Sequence, residues 1–139
     1  MKKLFILGVS AMLMTGSVLT SCSKYEEGSK FTLLTKKARV VGDWTIESTE
    51  SNGTVTPTAS GVTSKMSFEK DGTSTSTYTW GSITSTSTGK WDFNADKDYI
   101  KLTDSQGTVT SLLIVELKSK EMKLKDESSS PAVTYKLVQ

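Results

Sequence analysis

Residues 64–80, SKMSFEKDGTSTSTYTW, contain two alternating segments separated by the turn sequence Lys70-Asp71-Gly72. Met66 and Phe68 fall on one face of the first segment, and Tyr78 and Trp80 fall on one face of the second. Alternation with a period of two residues is typical of half-buried β-strands, and a short glycine-containing turn between two such segments is typical of a hairpin. The stretch therefore predicts two antiparallel strands joined by a tight turn.

The same pattern continues on both sides of this hairpin. Before it, Trp44 and Ile46 alternate after Gly42, Asn52-Gly53 is a second turn signal, and residues 54–61, which include a proline, predict loop or an irregular edge. After it, we expect strands at residues 83–93, 99–103 and 109–117, around Met122 and Leu124, and at Val133, Tyr135 and Leu137.

About eight short strands joined mainly by tight turns predict an all-β antiparallel meander. Each strand of a meander pairs with its neighbour in sequence, so the first and last strands are left as exposed edges. Closing the sheet into a barrel removes those edges, and a barrel is the fold we expect. A β-sandwich is the alternative.

A short amphipathic helix is predicted before the strands. Phe31, Leu34 and Ala38 recur at intervals of three and four residues, and Thr32 or Ser29 can serve as its N-cap. A helix of this length is not stable alone. We therefore expect it to lie against the open end of the β-domain.

Residues 1–21 have the layout of a secretory signal peptide, with a basic start, an apolar segment from Leu4 to Val18 and small residues at the end. The alternative is a membrane-spanning anchor, but the segment is shorter than such a helix requires. Leu19-Thr20-Ser21-Cys22 resembles the lipobox of bacterial lipoproteins. That resemblance implies cleavage before Cys22 and acyl chains on this residue, which would anchor the protein in a membrane. Cys22 is the only cysteine in the sequence, so no internal disulfide can form.

Residues 22–30 form a polar segment that we interpret as a tether, and residues 31–139 are expected to form one domain. Within the tether, Lys24-Tyr25-Glu26-Glu27 resembles the surface-export signals of some Bacteroidota lipoproteins. An ordinary charged tether is the alternative.

Three short motifs together resemble a known family. They are Gly42-Asp43-Trp44 after a basic helix, the hairpin Phe68-Glu69-Lys70-Asp71-Gly72-Thr73, and Gly89-Lys90-Trp91 in a later strand. In this order they are similar to the lipocalin-like domain of small Bacteroidota lipoproteins. The resemblance implies a lipocalin-like barrel with Trp44 near its closed end and a location in the outer membrane, facing the periplasm or the cell surface. It suggests small apolar ligands but implies no particular activity, since fold does not determine function.

The composition argues against catalysis and nucleic-acid binding. The sequence contains no histidine, which excludes nucleophilic catalysis and metal sites that depend on one. The acidic residues Asp71, Asp104 and Asp126 lie in predicted turns, where they have a structural role. Without residues 1–21, the chain keeps 15 basic and 15 acidic residues, so no nucleic-acid partner is expected. We predict neither enzymatic activity nor a cofactor.

One acidic cluster resembles the spacing of calcium ligands, namely Asp92, Asn94, Asp96 and Asp98. The calcium-loop pattern, however, requires glycine at the position of Lys97 and glutamate at the position of Thr103, so the sequence does not match it. We therefore interpret the cluster as a solvated turn and predict no metal site.

The remaining functional signal is a set of aromatic residues on predicted inward faces. The predicted ligand-binding residues are Trp44, Tyr78, Trp80, Trp91 and Tyr135. Hydroxyl groups from Ser64, Thr77, Ser85 and Ser87 would orient a ligand if these residues face inward, which a register shift of one residue would reverse. Core filling is the alternative role of the aromatic residues. The first functional hypothesis is thus a barrel that binds a small apolar or glycan-like ligand, and the second is a filled barrel that docks on an envelope protein.

Overall fold

The computed structural model describes residues 34–139, which form one short helix and nine strands. The helix α1 spans Lys36–Val40. The strands are β1 Gly42–Ser51, β2 Thr54–Pro57, β3 Val62–Phe68, β4 Thr73–Trp80, β5 Ile83–Phe93, β6 Tyr99–Thr103, β7 Val109–Leu117, β8 Glu121–Asp126 and β9 Val133–Val138. The predicted signal peptide, the lipobox and the tether lie outside the described residues. Within the described part, no helix has the length and apolar character needed to cross a membrane.

The sheet is an antiparallel meander that closes on itself. Strands β3 to β8 each pair with the next strand in sequence, and β1 pairs with both β3 and β9, which closes a barrel of eight strands. The one described strand outside the barrel is β2, which pairs with the C-terminal half of β1 and ends at Pro57. The predicted meander barrel is confirmed, and the β-sandwich alternative is wrong. Residues 34–139 thus include a closed barrel with an apolar core, which are features of a domain.

The turn between β3 and β4 forms as its sequence predicts. The Glu69 N–H donates to the Thr73 carbonyl at 2.8 Å, and the Asp71 carboxylate accepts the Thr73 N–H at 2.8 Å. Gly72 adopts a φ of 92°, a conformation that glycine reaches without steric cost. These local interactions fix the register of the hairpin, in which Phe68 pairs with Ser74.

The apolar core fills one end of the barrel, which we call the core end. Trp44 is fully buried there, as the family resemblance implied, and its indole N–H donates to the Val40 carbonyl at 2.8 Å. Trp91 packs edge-on against Phe68, with ring centroids 5.4 Å apart. The other buried apolar residues of this core are Val40, Ile100, Leu112, Ile114, Leu117, Met122, Leu124 and Leu137.

Helix α1 covers the core end, not the end we expected. Its N-cap is Thr35, whose hydroxyl accepts the Ala38 N–H at 3.2 Å. The guanidinium group of Arg39 donates to the Leu117 carbonyl at 3.5 Å, and Val40 is fully buried. The helix packs here because the core end offers apolar side chains to Val40, whereas the opposite end is lined by hydroxyl groups.

The predicted helix was also too long at its start. Leu34 precedes the helix and is half-exposed, so it does not belong to a buried helical face. The other predicted helix and cap residues, Ser29, Phe31 and Thr32, lie outside the described residues.

Two irregularities change the alternation of side chains. The register shifts between Ile46 and Ser48 in β1, and between Ile114 and Glu116 in β7. Because of the second shift, Glu116 faces outward opposite Lys123, while Leu117 returns to the core. Glu116 is only 7% exposed, and it forms ion pairs with Lys118 and with Lys123, the latter at 3.0 Å.

Candidate ligand-binding cup

The end of the barrel opposite α1 is hollow. It contains a cavity of about 320 Å³ that is open to solvent, and we call this cavity the cup. The floor of the cup is apolar and is formed by Ile46, Met66, Leu112 and Leu124. Its walls carry polar groups, from Ser64, Ser76, Tyr78, Ser85, Ser87, Thr110, Asp126 and Tyr135.

The strand register explains why these polar residues face inward. Tyr78 pairs with Ser64 on one side and with Ser85 on the other, so all three lie on the same face of the sheet. Phe68 and Trp91 lie on this face too, but at the core end. In β3 and β5 the inner face therefore changes along the strand, from Phe68 and Trp91 at the core end to Ser64 and Ser85 in the cup.

The hairpin of β4 and β5 extends beyond the rest of the barrel wall. Strand β6 pairs only with residues 90–93 of β5, and β1 pairs with β3 only up to Lys65. Trp80 and Ile83 form the last pair of this hairpin and are 63% and 65% exposed. With the half-exposed Tyr78, they form an apolar lip on the inner face of the hairpin.

A second opening lies in the wall between β5 and the turn that joins β6 to β7. It has a volume of about 420 Å³ and is lined mainly by serine and threonine residues. Ser76, Ser87 and Thr110 line both this opening and the cup. The side opening therefore lies next to the cup, and the two share part of their lining.

The structure places two of the five predicted aromatic ligand contacts in the cup. Tyr78 and Tyr135 line it, whereas Trp44 and Trp91 are buried in the core and Trp80 stands on the lip. Trp91 also contacts the carbonyl oxygen of the Glu69 turn rather than the cavity. Ligand contact by these residues stays a prediction.

Three of the four predicted hydroxyl residues, Ser64, Ser85 and Ser87, line the cup and face inward. Thr77 borders the cup, but its position in the alternation turns its side chain outward, and its hydroxyl lies 3.4 Å from the Thr86 hydroxyl. Thr77 is therefore not one of the hydroxyl groups that face a ligand.

Three further residues line the cup although they were not among the predicted ligand contacts, namely Ser76, Thr110 and Asp126. The first two share the inward parity of Tyr78 and Leu112, so the alternation alone could have found them. Asp126 is predicted to lie in a turn, but it ends β8 on the same face as Leu124.

Asp126 is held in its ionised form by its own turn. Its Oδ1 accepts bonds from the Ser128 N–H at 2.9 Å and from the Ser128 hydroxyl at 2.6 Å. Its Oδ2 accepts the Ser129 hydroxyl at 3.3 Å. These hydrogen bonds lower the pKa of Asp126. Burial, and then the charge of Asp126, raise the pKa of the neighbouring Tyr135, so at neutral pH the cup carries one carboxylate and a protonated phenol.

The acidic segment that resembled a calcium loop forms a hydrogen-bonded turn. The side-chain oxygen of Asn94 accepts the backbone N–H groups of Asp98 and Tyr99 at 2.9 and 3.0 Å. The Asp92 carboxylate accepts the Phe93 N–H at 2.8 Å. Across residues 34–139, no group of three or more histidine, cysteine, aspartate or glutamate residues is arranged to hold a metal ion.

A closed up-and-down barrel of eight strands, filled at one end and hollow at the other, defines the architectural class that includes the lipocalins. The sequence agrees with the fold, since residues 40–124 match the family model of the lipocalin-like domain. The chain belongs to this family.

Two solved structures share the fold. One is an uncharacterised protein from Bacteroides eggerthii, with a TM-score of 0.56 and 14% identity over 72% of this chain and 99% of that one. The other is a protein from Bacteroides uniformis, with a TM-score of 0.58 and 22% identity over 74% of this chain and 90% of that one. A comparison with curated proteins found no match.

Proposed function

We propose that the protein is a lipid-anchored lipoprotein of the bacterial cell envelope whose cup binds a small ligand with an apolar body and hydrogen-bonding groups. The observation that carries this proposal is the hollow end of the barrel. An eight-stranded barrel is just wide enough for its interior to be filled by side chains or to hold one small ligand. Here serine and threonine occupy inward positions that large side chains would need to fill.

The cup has the composition of a small-molecule site. Such sites are concave, mainly apolar, and contain a few polar groups that orient the ligand. The floor residues Met66 and Leu112 supply apolar surface, and Ser64, Ser85 and Tyr135 supply hydroxyl groups. A small apolar ligand or a glycan-like ligand with one apolar face would meet both kinds of surface.

The proposal is for binding and not for catalysis. General acid–base hydrolysis of a glycoside requires a pair of carboxyl groups. Among the described residues that line the cup, Asp126 alone carries a carboxyl group, and the chain contains no histidine.

The location in the outer membrane, on its periplasmic or cell-surface side, rests on the lipobox and on the charged segment after Cys22. A diacylglyceryl group and an N-acyl chain on Cys22 would make the attachment stable, because a single chain holds a protein only marginally. The membrane would then be one partner of the protein through this residue.

Native mass spectrometry tests ligand binding most directly. The chain from Ser23 onward contains the complete barrel, and it would be purified without denaturant after expression in the periplasm of a Bacteroides host. We expect a discrete additional mass that disappears on denaturation. A bare protein mass, combined with no binding of added apolar or glycan probes, would contradict the proposal.

A second candidate function is docking on an envelope protein, and the exposed lip favours it. Trp80 and Ile83 are adjacent, apolar and more than 60% exposed, and exposed apolar groups of this kind are found at protein interfaces. Chemical cross-linking in intact cells would detect a protein bound at the lip. If the lip is a docking surface, replacing both residues by serine should abolish cross-linking to that protein but leave the native mass of the ligand complex unchanged. Loss of the ligand from the native mass with cross-linking unchanged would instead favour the lip as part of the ligand site.

A further inference from the structure

The cup contains one inward-facing charge. Asp126 ends β8 two residues after Leu124, and it pairs with Leu112 of β7 and with Val133 of β9. Since Leu112 and Leu124 face the interior, the Asp126 side chain also enters the barrel, and it lines the cup together with Tyr135.

Among the described lining residues, no cationic side chain faces this charge from inside the cup. Lys65 borders the cup, but it lies between the inward residues Ser64 and Met66, so its side chain belongs to the outer face. Lys125, next to Asp126 in sequence, forms an ion pair with Glu127 at 3.5 Å. Within residues 34–139, Asp126 forms no ion pair.

The carboxylate of Asp126 can accept a bond from a ligand. A carboxylate offers about four acceptor positions. In the described structure Ser128 donates two bonds to Oδ1, and the Ser129 hydroxyl donates the longest one, of 3.3 Å, to Oδ2. A cationic donor that enters the cup would therefore compete with the Ser129 groups for this carboxylate.

We propose that the cup selects its ligands by head-group charge, with a protonated amine at Asp126 and an apolar chain on the floor formed by Ile46, Met66, Leu112 and Leu124. A hydroxyl head group would bind next best, and a free carboxylate, as in a fatty acid, would be repelled. This inference rests on the proposed binding function and names the chemical class of the ligand. The low pKa of Asp126 keeps the charge in place at neutral pH.

The expected effect of the charge is moderate because the cup is open. Two unit charges about 4 Å apart in water-like surroundings attract by about 1 kcal/mol, which corresponds to about a fivefold change in affinity. An amine should therefore bind about fivefold more tightly than an alcohol of the same chain length, and a carboxylate about fivefold more weakly.

Octylamine, octanol and octanoate form a matched set of probes for this test. Their binding to the chain from Ser23 onward would be measured at pH 7 by calorimetry. We expect the affinity order amine, alcohol, carboxylate. Equal or tighter binding of octanoate than of octylamine would overturn charge selection while leaving ligand binding intact. Absence of binding by all three probes would overturn charge selection of an apolar chain, and together with a bare native mass and no binding of glycan probes it would overturn the proposed function as well.

Asp126→Asn removes the charge but keeps an oxygen that can accept the Ser128 bonds. We expect this variant to bind octylamine and octanoate with affinities close to that of octanol, and to bind octanol as tightly as the wild type does. The matched control is Asp92→Asn, which removes an exposed carboxylate from the outer face of β5 and should leave the order unchanged. A D126N variant that keeps the wild-type order would overturn the proposal.

Salt dependence provides a test that needs no substitution. Raising the salt concentration to about 1 M shortens the screening length to about 3 Å. The preference of the wild-type protein for octylamine over octanol should shrink accordingly. If the preference does not depend on the salt concentration, it does not arise from the charge of Asp126.

Discussion

The indole nitrogen of Trp91 donates a hydrogen bond of 2.8 Å to the backbone carbonyl of Glu69. This bond joins β5 to the turn between β3 and β4, and the backbone N–H of Trp91 adds a second link, to the Gly72 carbonyl at 2.7 Å. Trp91 is thus a core residue that also holds the hairpin turn in place at the core end of the barrel.

Trp91→Phe should lower the free energy of unfolding by about 1–3 kcal/mol, because the Glu69 carbonyl keeps only the Gly72 N–H as a donor and the smaller ring leaves space in the core. Chemical denaturation would measure the change. Trp80→Phe on the exposed lip is the matched control, and we expect its effect to stay within about 0.5 kcal/mol. Equal effects of the two substitutions would contradict the role given to Trp91.

Gly89→Ala should destabilise the barrel by about 1–3 kcal/mol, as overpacking usually does. A Cβ atom at Gly89 would approach the backbone carbonyl of Thr103 to less than 3 Å, where β5 begins to pair with β6. Thermal unfolding would report the loss. Ser87→Ala changes the same face of β5 without such a contact, so a comparable loss there would contradict the steric explanation.

Glu116→Gln should reduce the pH dependence of stability in the acidic range. Hydrogen bonds from Lys118 and Lys123 lower the pKa of Glu116 below its usual value. A carboxyl group whose pKa is lower in the folded state contributes stability above its unfolded pKa of about 4.3, and this contribution disappears as the pH falls through the folded pKa.

We therefore expect the E116Q variant to be less stable than the wild type at pH 7 and to lose less stability on acidification. Urea unfolding at a series of pH values would measure both. The exposed Glu50→Gln is the control, and parallel pH profiles of E116Q and wild type would rule out the contribution of Glu116.

Ser76→Phe should block the cup. Ser76 faces inward between Met66 and Ser87, where a phenyl ring would occupy the space available to a ligand. Calorimetry should show loss of octanol binding, with a small change in stability. Thr77→Phe places the same ring on the outer face of the same strand. If T77F impairs binding as much as S76F, the ligand site is not the cup.

Cys22→Ser should abolish the incorporation of labelled palmitate and leave residues 1–21 attached, since the lipobox resemblance implies that acylation and cleavage both depend on this thiol. Metabolic labelling and intact mass would measure the two effects. Ser23→Ala is the control and should be acylated and cleaved normally. Label in the C22S protein would refute the lipobox interpretation.

The strands were predictable because their signals are local. Alternation and turn residues gave β4, β5, β6 and β7 with the boundaries seen in the structure. Asn52-Gly53 also forms the expected tight turn, with φ values of 50° and 74°. These features depend on neighbouring residues and on the period of the strand, both of which the sequence displays.

The division of the interior into core and cup was not predictable in the same way. Trp91 and Ser85 share a face of β5, and only their depth along the barrel decides that one is buried and the other lines the cavity. This depth depends on how the strands are staggered, which is a non-local property. The bulge before Glu116 and the projecting hairpin that carries Trp80 are likewise set by pairings with other strands.

The position of helix α1 distinguishes the two ends of the barrel. The described chain enters at the end closed by Val40 and Trp44, while Tyr78 and Trp80 stand at the far end, around the mouth. A surface that holds the protein through residues preceding Leu34 would therefore approach the sealed base of the barrel. The mouth of the cup would then lie on the side of the barrel away from the point where those residues join it.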